Sequence, residues 1–219
     1  LTLVETVDSG IIYLSSGGAG GNNIIINDGI TSASGNINIS ATANVRLTTD
    51  YSFTSSSGNF ILTADSDSSL DGSQVLDLKN DSVNGDLLIS NSGTGGILAY
   101  ADGDIRVDTL SSNGSGQILT QSSSNSIIDG NGAANNILTT GNYSASAATG
   151  VGSSDWIETT VASLSLSNSS SGNIQVIDLD HVNIAGVTQS VSSAELRITA
   201  GNSISNSGSI LSSGKSYFV

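Results

Sequence analysis

The stretch Ser34-Gly35-Asn36-Ile37-Asn38-Ile39-Ser40 returns along the chain as Ser57-Gly58-Asn59-Phe60-Ile61-Leu62-Thr63, Asn84-Gly85-Asp86-Leu87-Leu88-Ile89-Ser90, Asp102-Gly103-Asp104-Ile105-Arg106-Val107-Asp108 and Ser171-Gly172-Asn173-Ile174-Gln175-Val176. Shorter copies stand at Gly96-Ile97-Leu98-Ala99 and Ser115-Gly116-Gln117-Ile118-Leu119-Thr120. Each unit joins a turn, made of glycine beside a residue that bonds its own backbone, to a strand with apolar residues at every second place. One such unit cannot bury its apolar face alone, so copies at uneven intervals of roughly 20 residues predict a solenoid in which they stack.

The alternation gives pairs such as Ile37/Ile39, Val45/Leu47, Phe60/Leu62, Leu76/Leu78, Leu87/Ile89, Ile97/Ala99 and Ile105/Val107. Side chains two apart share a strand face, and the interior of a stack is the face available to bury them. Uneven spacing argues against a left-handed hexapeptide stack, and parallel crossovers are right-handed by default. The prediction is an all-β, right-handed parallel β-helix, one domain over residues 1–219, of about nine coils of roughly 22 residues. Asn36, Asn59 and Asn173 hold one repeat position, which predicts an amide-to-amide ladder.

The chain has no proline, which suits strands whose amides all donate to a ladder. It has no cysteine, so disulfides and thiolate metal sites are excluded. The net charge of −14 rests on 19 acids against Arg46, Lys79, Arg106, Arg197 and Lys215. Such a surface repels phosphate backbones and anionic lipid, so neither nucleic acid nor a membrane surface is the expected partner. No apolar run reaches spanning length, and Leu1–Gly10 lacks signal-peptide character. The missing initiator methionine and the apolar Tyr217-Phe218-Val219 suggest a piece of a longer protein.

Between residues 111 and 165 the alternation loosens, and a less regular excursion is expected at about 131–162. Tyr143, Asp155, Trp156 and Glu158 fall in it and are the candidate ligand-binding residues: aromatic rings stack on a sugar face while carboxylates accept its hydroxyl protons. The alternative for Tyr143 and Trp156 is a cover over apolar coil surface. Asp65, Asp67 and Asp71 are candidate calcium ligands in a loop, set against a simple hydrated acidic turn. The run Gly17–Asn22 matches a calcium-binding nonapeptide except that Asn22 stands for the acid. His181, after Asp178 and Asp180, is the only histidine. No nucleophile elbow or phosphate loop occurs, so catalysis is not expected.

The S-G-N-I-x-I units, with Ile198-Thr199-Ala200-Gly201-Asn202-Ser203-Ile204 and the residues on to Ile210, resemble repeats of filamentous-haemagglutinin-type large exoproteins of Gram-negative bacteria. The likeness spans most of residues 31–110 and 164–212. It implies a secreted β-helical adhesin at the bacterial cell surface, binding cell-surface or matrix glycan or protein, with this chain an interior stalk segment. That family's N-terminal secretion motif contains prolines, which this chain lacks. The alternative is a purely structural extracellular fibre that self-associates end to end or laterally.

Overall fold

A computed structural model describes residues 4–6, 10–17, 21–47, 52–66, 74–78 and 87–219. They form an all-β parallel β-solenoid of about 8 turns, and no helix occurs among them. Every strand pairing is parallel, so each strand lies over its counterpart one coil away.

Each coil contributes strands to three faces. The first face stacks Ile12–Ser16, Ile37–Ala41, Phe60–Ala64, Ile97–Ala101 and Ile118–Ser122. The second stacks Val4–Thr6, Ile30–Ser32, Ser52–Ser55, Leu88–Asn91 and Thr109–Ser112. The third stacks Ile24–Ile26, Val45–Leu47, Leu76–Leu78, Ile105–Val107 and Ile127–Asp129. Bridges through Val151 carry the third face on to Ile174–Asp178, Glu195–Ala200 and Lys215–Phe218.

Period two on a strand paired in parallel register turns alternation into columns. Ile12, Ile37, Phe60, Ile97, Ile118, Tyr143 and Leu164 follow one another inside the first face, and all are buried. Ile30, Phe53, Ile89, Leu110 and Ile137 do the same in the second. Each such side chain contributes about 1.5–3 kcal/mol on burial, and two neighbours of similar shape close the gaps above and below it.

The corner between the second and first faces is polar inside. Ser32, Ser55, Asn91, Ser112 and Thr139 occupy one buried column where the second face ends. Ser32 Oγ donates to the Gly35 carbonyl at 2.9 Å, Ser112 Oγ to Gly95 at 3.1 Å and Thr139 Oγ1 to Gly116 at 2.8 Å. The Asn91 amide donates to the Gly58 carbonyl. These bonds satisfy carbonyls that a tight turn withdraws from both water and the ladder. Glycine is required at this corner because the coils approach closely: a Cβ on Gly58 would collide with the Gly35 carbonyl oxygen of the preceding coil.

The asparagine ladder takes a different form from the expected one. Asn36 Oδ1 accepts the Asn59 backbone N–H at 2.8 Å, and Asn59 Oδ1 accepts the Gly96 N–H at 2.7 Å. The side chains thus extend the backbone ladder round the corner. Asn173 belongs to another corner, ahead of the third face, with Asn23, Asn44, Asp104 and Ser126. There Asn44 Nδ2 does donate to Asn23 Oδ1, at 2.9 Å.

The segment 131–162 does not project from the stack. It contains the whole of the 11-residue strand Ile137–Ala147 and the first part of the 12-residue Ile157–Asn168, which pair with each other and lie within the stack. These strands run from the second face into the first with only a register shift between Thr139 and Asn142. Shrinking the corner to a bulge lengthens the strand through it.

The ladder gives the first prediction. Val176 is buried in a strand paired on both sides, with Ile157 and with Ile198. Val176→Pro removes an N–H from the ladder and is expected to cost at least ~2 kcal/mol, the price of an orphaned buried carbonyl plus lost packing. A urea midpoint equal to the parent's would contradict this register.

Candidate functional site

Tyr143 is part of the core and is corrected here from a surface candidate. Its side chain is fully buried between Ile118 and Leu164 of the neighbouring coils, so no ring face is open to a ligand. Its hydroxyl lies 3.0 Å from Thr120 Oγ1, itself fully buried, and each satisfies the other. Burial pushes the phenol far above its ordinary value, with the Thr120 bond opposing more weakly. Tyr143→Phe leaves the Thr120 hydroxyl without that partner and is expected to lower stability by about 1–3 kcal/mol. Denaturant titration checks this, and a neutral result would mean that Thr120 finds another hydrogen-bond partner.

Asp155, Trp156 and Glu158 are brought together at the start of Ile157–Asn168. Asp155 lies on an exposed turn, where its Oδ1 accepts the Trp156 backbone N–H at 3.0 Å. Trp156 is half-buried and stands just ahead of the strand, two residues before Glu158. Glu158 is 8% exposed, and its Oε2 has no hydrogen-bond partner.

Burial, more than any neighbour, raises the Glu158 carboxyl from 4.5 to about 7; the charges of Asp129 and Asp155 add to the rise, and its own backbone N–H opposes it. Asp129 is held nearby by the turn that follows its strand: it accepts from Asn131 N–H at 2.9 Å and Gly132 N–H at 2.8 Å. Between them lies Asn136, fully buried, whose amide donates to Asp129 Oδ1 at 2.7 Å and whose Oδ1 accepts the Glu158 N–H at 2.9 Å. Sequence reasoning passed over Asn136. The run Asp129-Gly130-Asn131-Gly132 signalled a turn but not the buried amide it closes on.

A second acidic group sits beside the histidine. Asp178 is fully buried, and its Oδ2 accepts from Thr159 Oγ1 at 2.9 Å and from the Val161 N–H at 3.1 Å. Desolvation raises this carboxyl to about 6, while Asp180, bonded to it and to the His181 N–H, is lowered. His181 Nδ1 is 3.8 Å from Asp180 Oδ2, on a side chain 72% exposed. A shallow groove of about 190 Å³ borders Asp180 and His181 and is otherwise lined by threonines, Val161 and Ala162. Ion pairing at that distance and exposure supplies little energy.

Of the candidate calcium ligands, Asp67 and Asp71 lie outside the described residues. Asp65 follows the strand Phe60–Ala64 in the left-handed conformation, φ 63°, with its N–H donating to the Ala43 carbonyl at 3.2 Å. At the other candidate, the Asn22 amide donates to the Gly17 carbonyl at 2.9 Å and closes its own turn. Among the described residues no three acidic, histidine or cysteine side chains gather at metal-binding spacing.

No family model, curated protein or solved structure matches this chain.

The raised acids carry a pH prediction. Between pH 4.5 and about 7 the folded chain binds more protons at Glu158 than the unfolded chain, so stability falls as pH rises across that window. Asp178 acts with the same sign between 3.8 and about 6. The urea midpoint is expected to be higher at pH 5 than at pH 8. Glu158→Gln should flatten the change between pH 7 and 8, where Asp178 is already largely ionised; an unaltered slope would show that Glu158 titrates normally.

Proposed function

We propose that this chain is a stalk segment of a secreted bacterial surface adhesin, a stiff β-solenoid that holds recognition away from the cell and contributes a glycan-binding surface of its own. The observation that carries the reading is the division of labour around the coil. Inward positions are mostly apolar and form continuous columns, whereas the outward residues of the first face, Asn38, Ser40, Thr63, Gln121, Ser144 and Ser165 together with Tyr13, Ile61, Leu98, Tyr100 and Leu119, carry no charge. An uncharged surface that mixes hydroxyls and amides with apolar and aromatic side chains offers donors, acceptors and apolar contact without the desolvation cost of ions. Asp155, Trp156 and Glu158 add an aromatic face with adjacent carboxylate oxygens, the combination that suits a sugar ring. The S-G-N-I-x-I resemblance supports the same reading.

The second reading, a self-assembling fibre without a specific ligand, draws on the exposed Leu211, Tyr217 and Phe218 in the last coil and Ile11, Tyr13 and Ile25 in the first strands. Exposed apolar side chains on a solenoid surface favour contact with another chain.

Glycan-array binding and sedimentation as a function of concentration separate the two. Saturable binding by a monomer that weakens in Trp156→Ala, with an unchanged urea midpoint, is the expected result. Concentration-dependent growth without saturable binding would replace the adhesin by the fibre.

A further inference from the structure

The chain's three arginines, Arg46, Arg106 and Arg197, are scattered in sequence but occupy one outward column of the third face. The registered order is Ile25, Arg46, Asp77, Arg106 and Ile128, and, beyond the bridges through Val151, Gln175, Arg197 and Tyr217. Lys215 stands on the same face, paired with Glu195. Four of the five cations of a chain with net charge −14 therefore share one face.

At one end of this column, Asn23, Ile25, Asn44, Arg46, Asp77 and Arg106 line a groove of about 290 Å³. Asp77 lies between the two arginines, its Oδ2 3.5 Å from Arg46 Nε and 3.7 Å from Arg106 Nη1. Both guanidinium groups keep substantial solvent exposure, 43% and 40%, against 13% for Asp77. The groove thus presents two part-exposed guanidinium groups and, between them, a carboxylate of the kind to which they donate. Ile25, half exposed, supplies an apolar floor beside them. Along the same face, Arg197 stacks over the Tyr217 ring at 4.9 Å, and Trp156 immediately precedes the registered pair Ile157 and Val176.

We propose that the third face binds a linear polysaccharide bearing spaced carboxylates, with Arg46 and Arg106 as its anion-binding residues. This rests on the adhesin reading and names a ligand class for it. Two coils separate Arg46 from Arg106, ~10 Å at the inter-strand spacing. A glycan whose acidic units alternate with neutral ones meets this column with charges at intervals, and its neutral units meet the amides and apolar side chains. A nucleic acid, charged at every phosphate, would bring most of its charges against the acids elsewhere on the chain.

Asp77 is the internal test, because it competes with the ligand for both arginines. Hyaluronan oligosaccharide is the probe, with its methyl ester and neutral dextran as controls, measured by calorimetry at low and moderate salt. Hyaluronan should bind, its ester should not, and salt should weaken binding. Arg46→Gln with Arg106→Gln should weaken it about tenfold or more, and Asp77→Asn should tighten it severalfold, with urea midpoints showing that the variants fold.

If the arginines serve only to hold Asp77 in the stack, hyaluronan will not bind and Asp77→Asn will alter stability alone, which overturns the proposal. Equal binding of hyaluronan and its ester, or binding indifferent to both arginines, would also overturn it. Glycan binding that persists on other array members would then leave the adhesin reading standing, whereas loss of all glycan binding would remove both.

Discussion

Everything in this molecule depends on the parallel backbone ladder holding one coil in register with the next. Because each residue is placed over a counterpart, a side chain is selected less by its sequence neighbours than by what lies above and below it. Ile37 answers to Ile12 and Phe60; Tyr143 answers to Ile118 and Leu164. The same rule acts outside, where Arg46, Asp77 and Arg106 become neighbours although far apart in sequence. Charge, hydroxyl and apolar character are thereby sorted into columns that no linear motif announces.

The interior was legible where the inward residues are large and the outward ones polar. Ile37/Ile39 and Phe60/Leu62 show their period at a glance, and they are buried as that period requires. The strand Ile137–Ala147 hid because Ser144, Ala145, Ser146 and Ala147 are all small: Ala145 and Ala147 point inward, yet the contrast with serine is too slight to read as alternation. A run expected to be a less regular excursion holds one of the longest strands. Tyr143 was misplaced with it, since a lone aromatic in a seemingly irregular segment suggests a surface role.

The candidate site was partly legible for a related reason. Asp155, Trp156 and Glu158 are close in sequence and stay together in space. Asn136 and Asp129, which shape the surroundings of Glu158, come from the preceding coil, and their proximity is a fact of register. Asn173 makes the same point: an identical Ser-Gly-Asn signature serves different corners, because turn chemistry specifies a bend but not which bend.

The interval between stacked counterparts is uneven, 23 residues from Asn36 to Asn59 but 37 from Asn59 to Gly96, while the strands on either side keep their pairing. The stack therefore counts coils and is indifferent to the amount of chain between them. A stack that keeps its pairing across such unequal lengths of intervening chain is a natural host for grafted sequence between its strands, so foreign peptides could be displayed at a defined height along the solenoid without renegotiating the core.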